Sequence, residues 1–267
     1  MQRFNFPVVQ PDPALEELRA ELQTFLKEER EAGNFRPEPE CWMASADPEF
    51  SKKMGQRGWI GLTWSSQYGG HDKTALERYI VTEETLRAGA PVAAHWIADR
   101  QHAPMLLEHG TEEQKLDILP RIAAGQCYFA IGLSEPGAGS DLQGIRTTAK
   151  RVGDEYVING SKIYISNGQL ADLVVVACKT DPNEGWRGIS LILVEGDRAG
   201  FERGRNLEKI GMHAQDTSEL FFSDVRVPVS NLLGPEEGKG FIQLVSQLPQ
   251  ERLIQAVKGA ETVQSAI

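Results

Sequence analysis

Cysteine is scarce in this sequence, and Cys41, Cys127 and Cys178 are odd in number and far apart. None forms a Cys-x-x-Cys pair, so neither a zinc site nor a disulfide framework is indicated. Reduced thiols in a cytoplasmic protein are what that usage predicts. Long apolar runs are missing too. None approaches the ~18 residues of a membrane span, and the opening Met1-Gln-Arg-Phe-Asn-Phe-Pro7 has no apolar core of a secretory signal. Positive charge is in short supply. A formal net charge of -10 argues against a nucleic-acid surface, because polyanions are held by Lys and Arg that displace counterions. It leaves room for a local basic pocket. No internal repeat or low-complexity tract interrupts the chain.

What is present is the composition of a soluble globular protein, 40% hydrophobic and 25% charged. The chain is long enough for two modest domains or one large one. From Asp12, Leu15, Leu18, Leu22, Phe25 and Leu26 share one helical face until Gly33. Asp12 with Pro13, and again Asp47 with Pro48, are N-cap and first-position signals. Gly58 can stop the second helix, and Trp59 to Asp72 reads as a loop. Thr74-x-x-Glu77 and Thr111-x-x-Gln114 are capping boxes. They bracket a further helix from Pro91 to Gly110, and Gly125 closes the helical part.

After Gly125 the period changes. Thr147 to Val152 and Tyr156 to Asn159 read as a hairpin over Gly153-Asp154. Asn159-Gly160 reads as a second tight turn into Lys162 to Ser166. Leu173 to Cys178 is a continuous apolar run, a strand buried on both faces. Ile189 to Val194 and Leu220 to Val227 complete a set of short strands with no long helix between them. That order favours an antiparallel sandwich or barrel over a Rossmann domain. From Gly238 the helical period returns, with Pro249 expected to kink or restart the helix.

The stretch from Cys127 to Ser166 carries the chemistry. It includes Leu133-Ser134-Glu135-Pro136-Gly137-Ala-Gly139-Ser140-Asp141. A Walker loop needs Gly-Lys-Ser/Thr, and no lysine follows here. A dinucleotide fingerprint needs Gly-x-Gly-x-x-Gly opening a helix, whereas Gly137, Gly139 and Gly144 lead into strand-like residues. Either a plain turn or an anion nest of free N–H groups with the Ser140 hydroxyl remains. Ser134 and Ser166 each end an apolar strand, and hydroxyls suit the ring heteroatoms of a flavin. Strand alternation puts Tyr164 on the Ser166 face, as an ordinary sheet aromatic or as the flank of a flat ring.

Together these stretches resemble the acyl-CoA dehydrogenase family, from about Pro13 to the last residue. The glycine loop is similar to the family's flavin and pyrophosphate loop. Tyr156-Val-Ile-Asn-Gly-Ser-Lys-Ile-Tyr-Ile-Ser-Asn-Gly168 is similar to its second flavin-contact segment. Gly211-Met-His-Ala-Gln-Asp-Thr-Ser-Glu-Leu-Phe-Phe-Ser-Asp-Val-Arg-Val-Pro228 is similar to the strands closing its middle domain. The resemblance implies FAD as cofactor and no metal. It implies that Ile131, Leu133 and Ser134 hold the flavin edge, with Tyr164, Ile165 and Ser166 beside it. Gly139 and Ser140 would lie by the pyrophosphate. Tyr164 stands where many members have Trp, and Ser166 where they have Thr.

Most members keep the catalytic glutamate in a C-terminal helical domain, but those related to long-chain and isovaleryl enzymes place it on the first helix after the sheet. Here Gln247-Leu-Pro-Gln-Glu251-Arg252-Leu253 resembles the long-chain type, which implies Glu251 as the base and Arg252 as its auxiliary. Without the resemblance, a Glu beside an Arg on a helix reads as a solvated face. The implied substrate contacts are Ser140, Trp186, Arg187, Pro249 and Arg252. The Pro91–His109 helix is implied to wall the acyl tunnel, with Gln101, Ala103 or Pro104 setting its depth.

The implied reaction is α,β-dehydrogenation of an acyl-CoA to the trans-2-enoyl-CoA, a step of fatty acid β-oxidation. Glu251 removes the α-proton, the β-hydride passes to flavin N5, and electrons go on to an electron-transfer flavoprotein. The expected architecture is α+β and multidomain: an all-α domain over 1–125, an antiparallel β-sandwich or barrel over 126–236, and the first helix of a C-terminal bundle over 237–267. The uncapped end at Ile267 leads us to expect a chain truncated before the rest of that bundle. A cytoplasmic homo-oligomer, dimer or tetramer, is implied. The alternatives are an acyl-CoA oxidase-like flavoprotein, or a non-catalytic partner or inactive fragment.

Overall fold

Four α-helices of this protein start at short polar side chains, Asp12, Asp47, Thr74 and Thr111. The computed structural model describes residues 12–38, 46–212 and 215–265. Cys41, the His213-Ala214 pair of the closing-strand motif and the chain's two ends lie outside them. Helix α1 (Pro13–Glu31) opens with Asp12 Oδ1 accepting from Ala14 N at 2.9 Å, and it buries Leu22, Phe25 and Leu26. Asp47 does the same for α2 (Pro48–Gln56). The Thr74–Glu77 box opens α3 (Ala75–Arg87). One helix follows in two pieces, α4 (Ala93–Ile97) and α5 (Ala103–His109), joined through a π-helical turn over Ala98–His102. It starts at Ala93 rather than Pro91, because Val92 is held outside it by a β-bridge to Ala46. The second capping box opens α6 (Glu112–Ala123).

The strands are β1 (Phe129–Gly132), β2 (Thr148–Val152), β3 (Glu155–Ser166), β4 (Leu173–Lys179), β5 (Ile189–Glu195), β6 (Phe201–Asn206) and β7 (Thr217–Pro228). They form one seven-stranded sheet in the order β1-β4-β2-β3-β7-β6, with β5 pairing β4 off that path. Most pairs are antiparallel, although β1 runs parallel to β4 and β2 meets β4 in parallel at Thr148–Lys179.

Strand β4 explains how two cores share one sheet. Leu173, Val175 and Ala177 join the cluster built with the helices, while Val174, Cys178 and Val176 join a second cluster made from the strands themselves. Burial on both faces is why its sequence is a continuous apolar run. The second cluster exists because the sheet curls over its own face, burying Ile158, Leu220 and Val225 opposite Val174.

Two expectations need correction. Asn159-Gly160 is not a turn: β3 runs through it, with a register shift against β7 between Ile158 and Gly160. Gly160 has φ +151° and lies so close to Thr147 that any Cβ would collide with it, so the bulge requires glycine. Strand β6, Phe-Glu-Arg-Gly-Arg-Asn, was not anticipated; it is a largely solvated edge whose polar sequence carries no apolar alternation. After the sheet, α7 (Gly240–Ser246) ends before Gln247 and α8 (Leu248–Ser265) begins, so Pro249 restarts the helix from within its first turn.

Candidate functional site

A cavity of about 430 Å³ lies where the α4 end and its π turn, the ends of β1 and β3, and the first turns of α8 converge. It brings together Ile131, Leu133 and Ser134 from one stretch, Tyr164, Ile165 and Ser166 from a second, and Glu251 and Arg252 from a third. Its remaining wall is Trp96, Ile97, Arg100 and Gln101 with Leu248, Ile254 and Gln255. A larger crevice of about 1000 Å³ beside α6, lined by charged side chains such as Asp117, Arg121 and Arg203, contains none of the anticipated residues. Apolar walls with a few convergent polar groups favour the smaller cavity as the site.

The loop after β1 is held from below. Ser134 O accepts from Ile163 N at 2.9 Å, which ties the loop to β3. Leu133 O accepts from Lys162 Nζ at 3.1 Å. Under the loop, the Glu135 carboxylate accepts from Lys162 Nζ at 2.8 Å, Thr147 Oγ1 at 2.6 Å, Thr147 N at 3.0 Å and Arg146 N at 2.6 Å. Burial pushes the Glu135 carboxyl up, but these donors outweigh it and hold it below the usual range. Sequence reasoning missed this pair, whose only signal is a Glu and a Lys inside otherwise apolar strand ends.

Tyr164 and Ser166 reach the same cavity, but not by regular alternation. Tyr164 has φ +62°, and the β3–β7 register shifts between Lys162 and Ile165. The kink leaves the Tyr164 ring 68% exposed. One residue beyond, buried Asn167 donates from Nδ2 to Ala93 O at 3.0 Å, fixing the end of β3 to the start of α4.

Glu251 is half-buried on the cavity side of α8, and burial alone raises its carboxyl above the ordinary range. Arg252 lines the cavity too, but its side chain is exposed and makes no ion pair with Glu251 among the described residues. Gly139 and Ser140 are exposed and lie outside the cavity lining, and a Cβ at Gly139 would point into open space. Trp186 and Arg187 also lie outside it, on a 3-10 turn, with Trp186 packed on Phe241 at 5.7 Å and the Arg187 guanidinium 4.9 Å over the indole. Pro249 is exposed and does not line the cavity. Of the tunnel residues, Gln101 lines the cavity, Ala103 is fully buried in the core, and Pro104 faces a separate surface depression.

The residues present suit a flavin: apolar walls, two hydroxyl-bearing strand ends and a flanking ring, followed after Ser134 by an open glycine loop. Cys127 and Cys178 are free and buried, and burial pushes both thiols up to about 12, which makes them unreactive. Among the described residues no helix is long and apolar enough to cross a membrane.

Residues 12–126 match the acyl-CoA dehydrogenase N-terminal domain, and residues 130–225 match the acyl-CoA dehydrogenase middle domain. The chain is 44% identical over 208 residues to the mitochondrial long-chain specific acyl-CoA dehydrogenase of Rattus norvegicus, covering 77% of this chain and 48% of that protein. It is 41% identical over 249 residues to an acyl-CoA dehydrogenase of Mycobacterium tuberculosis, covering 90% of this chain and 61% of that one. The crystal structure of an acyl-CoA dehydrogenase from Geobacillus kaustophilus superposes with a TM-score of 0.85 at 41% identity, covering 96% of this chain and 67% of that one. The chain thus spans about half the length of the rat relative it matches.

Proposed function

The chain belongs to the acyl-CoA dehydrogenase family, whose members are FAD-dependent flavoproteins, and from that premise we propose that it contributes the catalytic half of an enzyme oxidising an acyl-CoA thioester to its trans-2-enoyl product. The observation that carries this reading is the meeting of Glu251 with Ser134, Tyr164 and Ser166 around one cavity.

A Cα–H beside a thioester is a weak acid, so its removal needs a base held out of water next to an activated carbonyl. Glu251 takes the α-proton on its carboxylate. Its half-buried setting raises its proton affinity and suits it to that transfer. Trp96, Ile97 and Ile131 exclude water from the acyl chain. The Ser134 and Ser166 hydroxyls, the Tyr164 ring and the backbone at Ile131, Leu133 and Ile165 would hold the isoalloxazine of FAD. Bound FAD would supply the two-electron acceptor for the β-hydrogen and its electron pair.

Gly139 and Ser140 suit the pyrophosphate at the rim. Arg187, whose side chain makes no ion pair among the described residues, offers a cation to the CoA phosphates beside Trp186. Arg252 and Pro249 flank the acyl entry. We assign the electrons to an electron-transfer flavoprotein and the working assembly to a homo-oligomer, with the chain divided at 125 and 236 as its sequence suggests. Free buried thiols fit a reducing compartment such as the cytoplasm. The test is to purify the full-length protein. A yellow protein whose flavin bleaches anaerobically on adding an acyl-CoA supports the reading, and a colourless one contradicts it.

A further inference from the structure

One wall of the cavity is chemically out of place for a plain hydrocarbon chain. Trp96, Ile97, Arg100 and Gln101 project from one side of the α4–π segment into it. The π turn that carries Arg100 and Gln101 is a geometry that recurs at functional sites. The Arg100 side chain is only 9% exposed, and a guanidinium is costly to remove from water unless its donors are used. Nε pairs with Asp99 Oδ2 at 3.0 Å, Nη2 donates to Thr82 Oγ1 at 2.6 Å, and the plane lies over Trp96 at 5.3 Å. That leaves Nη1 without an acceptor among the described residues, on a side chain that lines the cavity. The neighbouring Gln101 amide lines the same wall and makes no hydrogen bond among the described residues. Arg100 keeps its proton at neutral pH, since burial lowers it only to about 9. Asp99, held despite its burial below the usual carboxylate range by Arg100, Arg78 and the Gly61 amide, is the direct ion-pair partner of Arg100, so the donor that faces the cavity belongs to a guanidinium already paired.

We propose that Arg100, seconded by Gln101, determines substrate specificity by donating to an uncharged oxygen on the acyl group, a keto or hydroxyl oxygen beyond the β-carbon. The natural substrate class is then an oxygenated acyl thioester rather than a plain saturated chain. This rests on the reading of the cavity as the acyl site. A site built to hydrogen-bond a substrate oxygen discriminates strongly against the analogue that lacks it, because its donors are left unpaired. Glu251 lines the same cavity from α8, so recognition of the oxygen and removal of the proton are assigned to groups on different helices.

The test uses the full-length flavoprotein with decanoyl-CoA and a series of keto-decanoyl-CoAs whose carbonyl is moved along the chain. Binding is read by calorimetry and turnover by kcat/KM. At one carbonyl position the wild type is expected to favour the keto probe by about tenfold or more in both readouts. That ratio is expected to fall to about one in Arg100→Met, and in the pair Asp99→Asn with Arg100→Met, which removes both buried charges together and so guards against misfolding. Arg100→Lys is expected to keep part of the preference. A wild type that favours decanoyl-CoA over every keto probe, or a preference that survives in both Met variants, overturns the proposal. Tighter binding of a terminal carboxylate analogue than of any keto probe overturns the uncharged oxygen. If no probe bleaches the flavin, the dehydrogenation reading fails while the calorimetric ratio still decides the role of Arg100.

Discussion

Lys162 Nζ stands 2.8 Å from Glu135 Oε1, an ion pair buried between the middle of β3 and the loop that follows β1. It ties together the two strand ends that line the cavity on the side we assign to the flavin. Replacing Lys162 with Met leaves a buried carboxylate without its cation, a loss of roughly 3–5 kcal/mol in comparable cases. The expected result is a lower urea midpoint together with weakened flavin retention, measured on the same preparation. A double variant, Lys162→Met with Glu135→Gln, is expected to recover most of the stability. Equal destabilisation in single and double variants contradicts a role for the pair.

A second network ties α8 to the helices. Arg87 Nε donates to Glu261 Oε2 at 3.1 Å and Arg87 Nη1 to Glu84 Oε1 at 3.0 Å, while Arg19 pairs with Glu83 and Glu84. Burial raises the Glu261 carboxyl and Arg87 only partly offsets it. Losing Arg87 therefore gathers uncompensated acids, and Arg87→Ala is expected to cost about 1–3 kcal/mol, the lower side reflecting its partial exposure. Glu261→Gln is expected to be close to neutral. Urea titrations in which the two variants lose the same stability contradict this account of the network.

Acid sensitivity follows from two buried histidines. Burial lowers His95 to about 4 and His102 to about 3, against 6.5 for a free histidine. Both are neutral when folded, so the unfolded chain binds more protons as pH falls below about 6.5. Stability is full above that value and is lost as pH drops toward 4 and then 3. Melting temperatures between pH 7 and 4 should fall, and His102→Phe, which keeps a ring against Phe129, should flatten the fall. An identical slope in that variant excludes His102 as a contributor.

How much of this was legible depended on whether the signal was local. The Asp12 and Asp47 caps, both capping boxes, the Gly153 hairpin and the doubly buried β4 follow from neighbouring residues, and the structure has each. Gly160 misled because Asn-Gly is a turn signal, whereas its cause here is Thr147, a residue on another strand. Strand β6 was invisible because an edge strand is solvated along most of its length. Within the site, the family resemblance indicated three stretches, and Glu251, Ser134 and Ser166 from them line one cavity. Arg100, Lys162 and the Arg87–Glu261 link were not legible, since a charged side chain in sequence looks the same whether it meets water or a partner far along the chain.

Proton abstraction by Glu251 is the central claim. The direct measurement is the anaerobic rate of flavin bleaching by an acyl-CoA in the full-length protein, compared between wild type and Glu251→Gln across pH. The account predicts a wild-type rate that rises with pH through an ionisation above the ordinary 4.5 of a glutamate, because only the carboxylate accepts the α-proton. It predicts a loss of about 10³-fold in the Gln variant. It further predicts that this variant is no less stable at neutral pH, since a carboxyl whose proton affinity is raised by folding weakens the fold when it ionises. A folded, flavin-loaded Glu251→Gln protein that bleaches at the wild-type rate would contradict it.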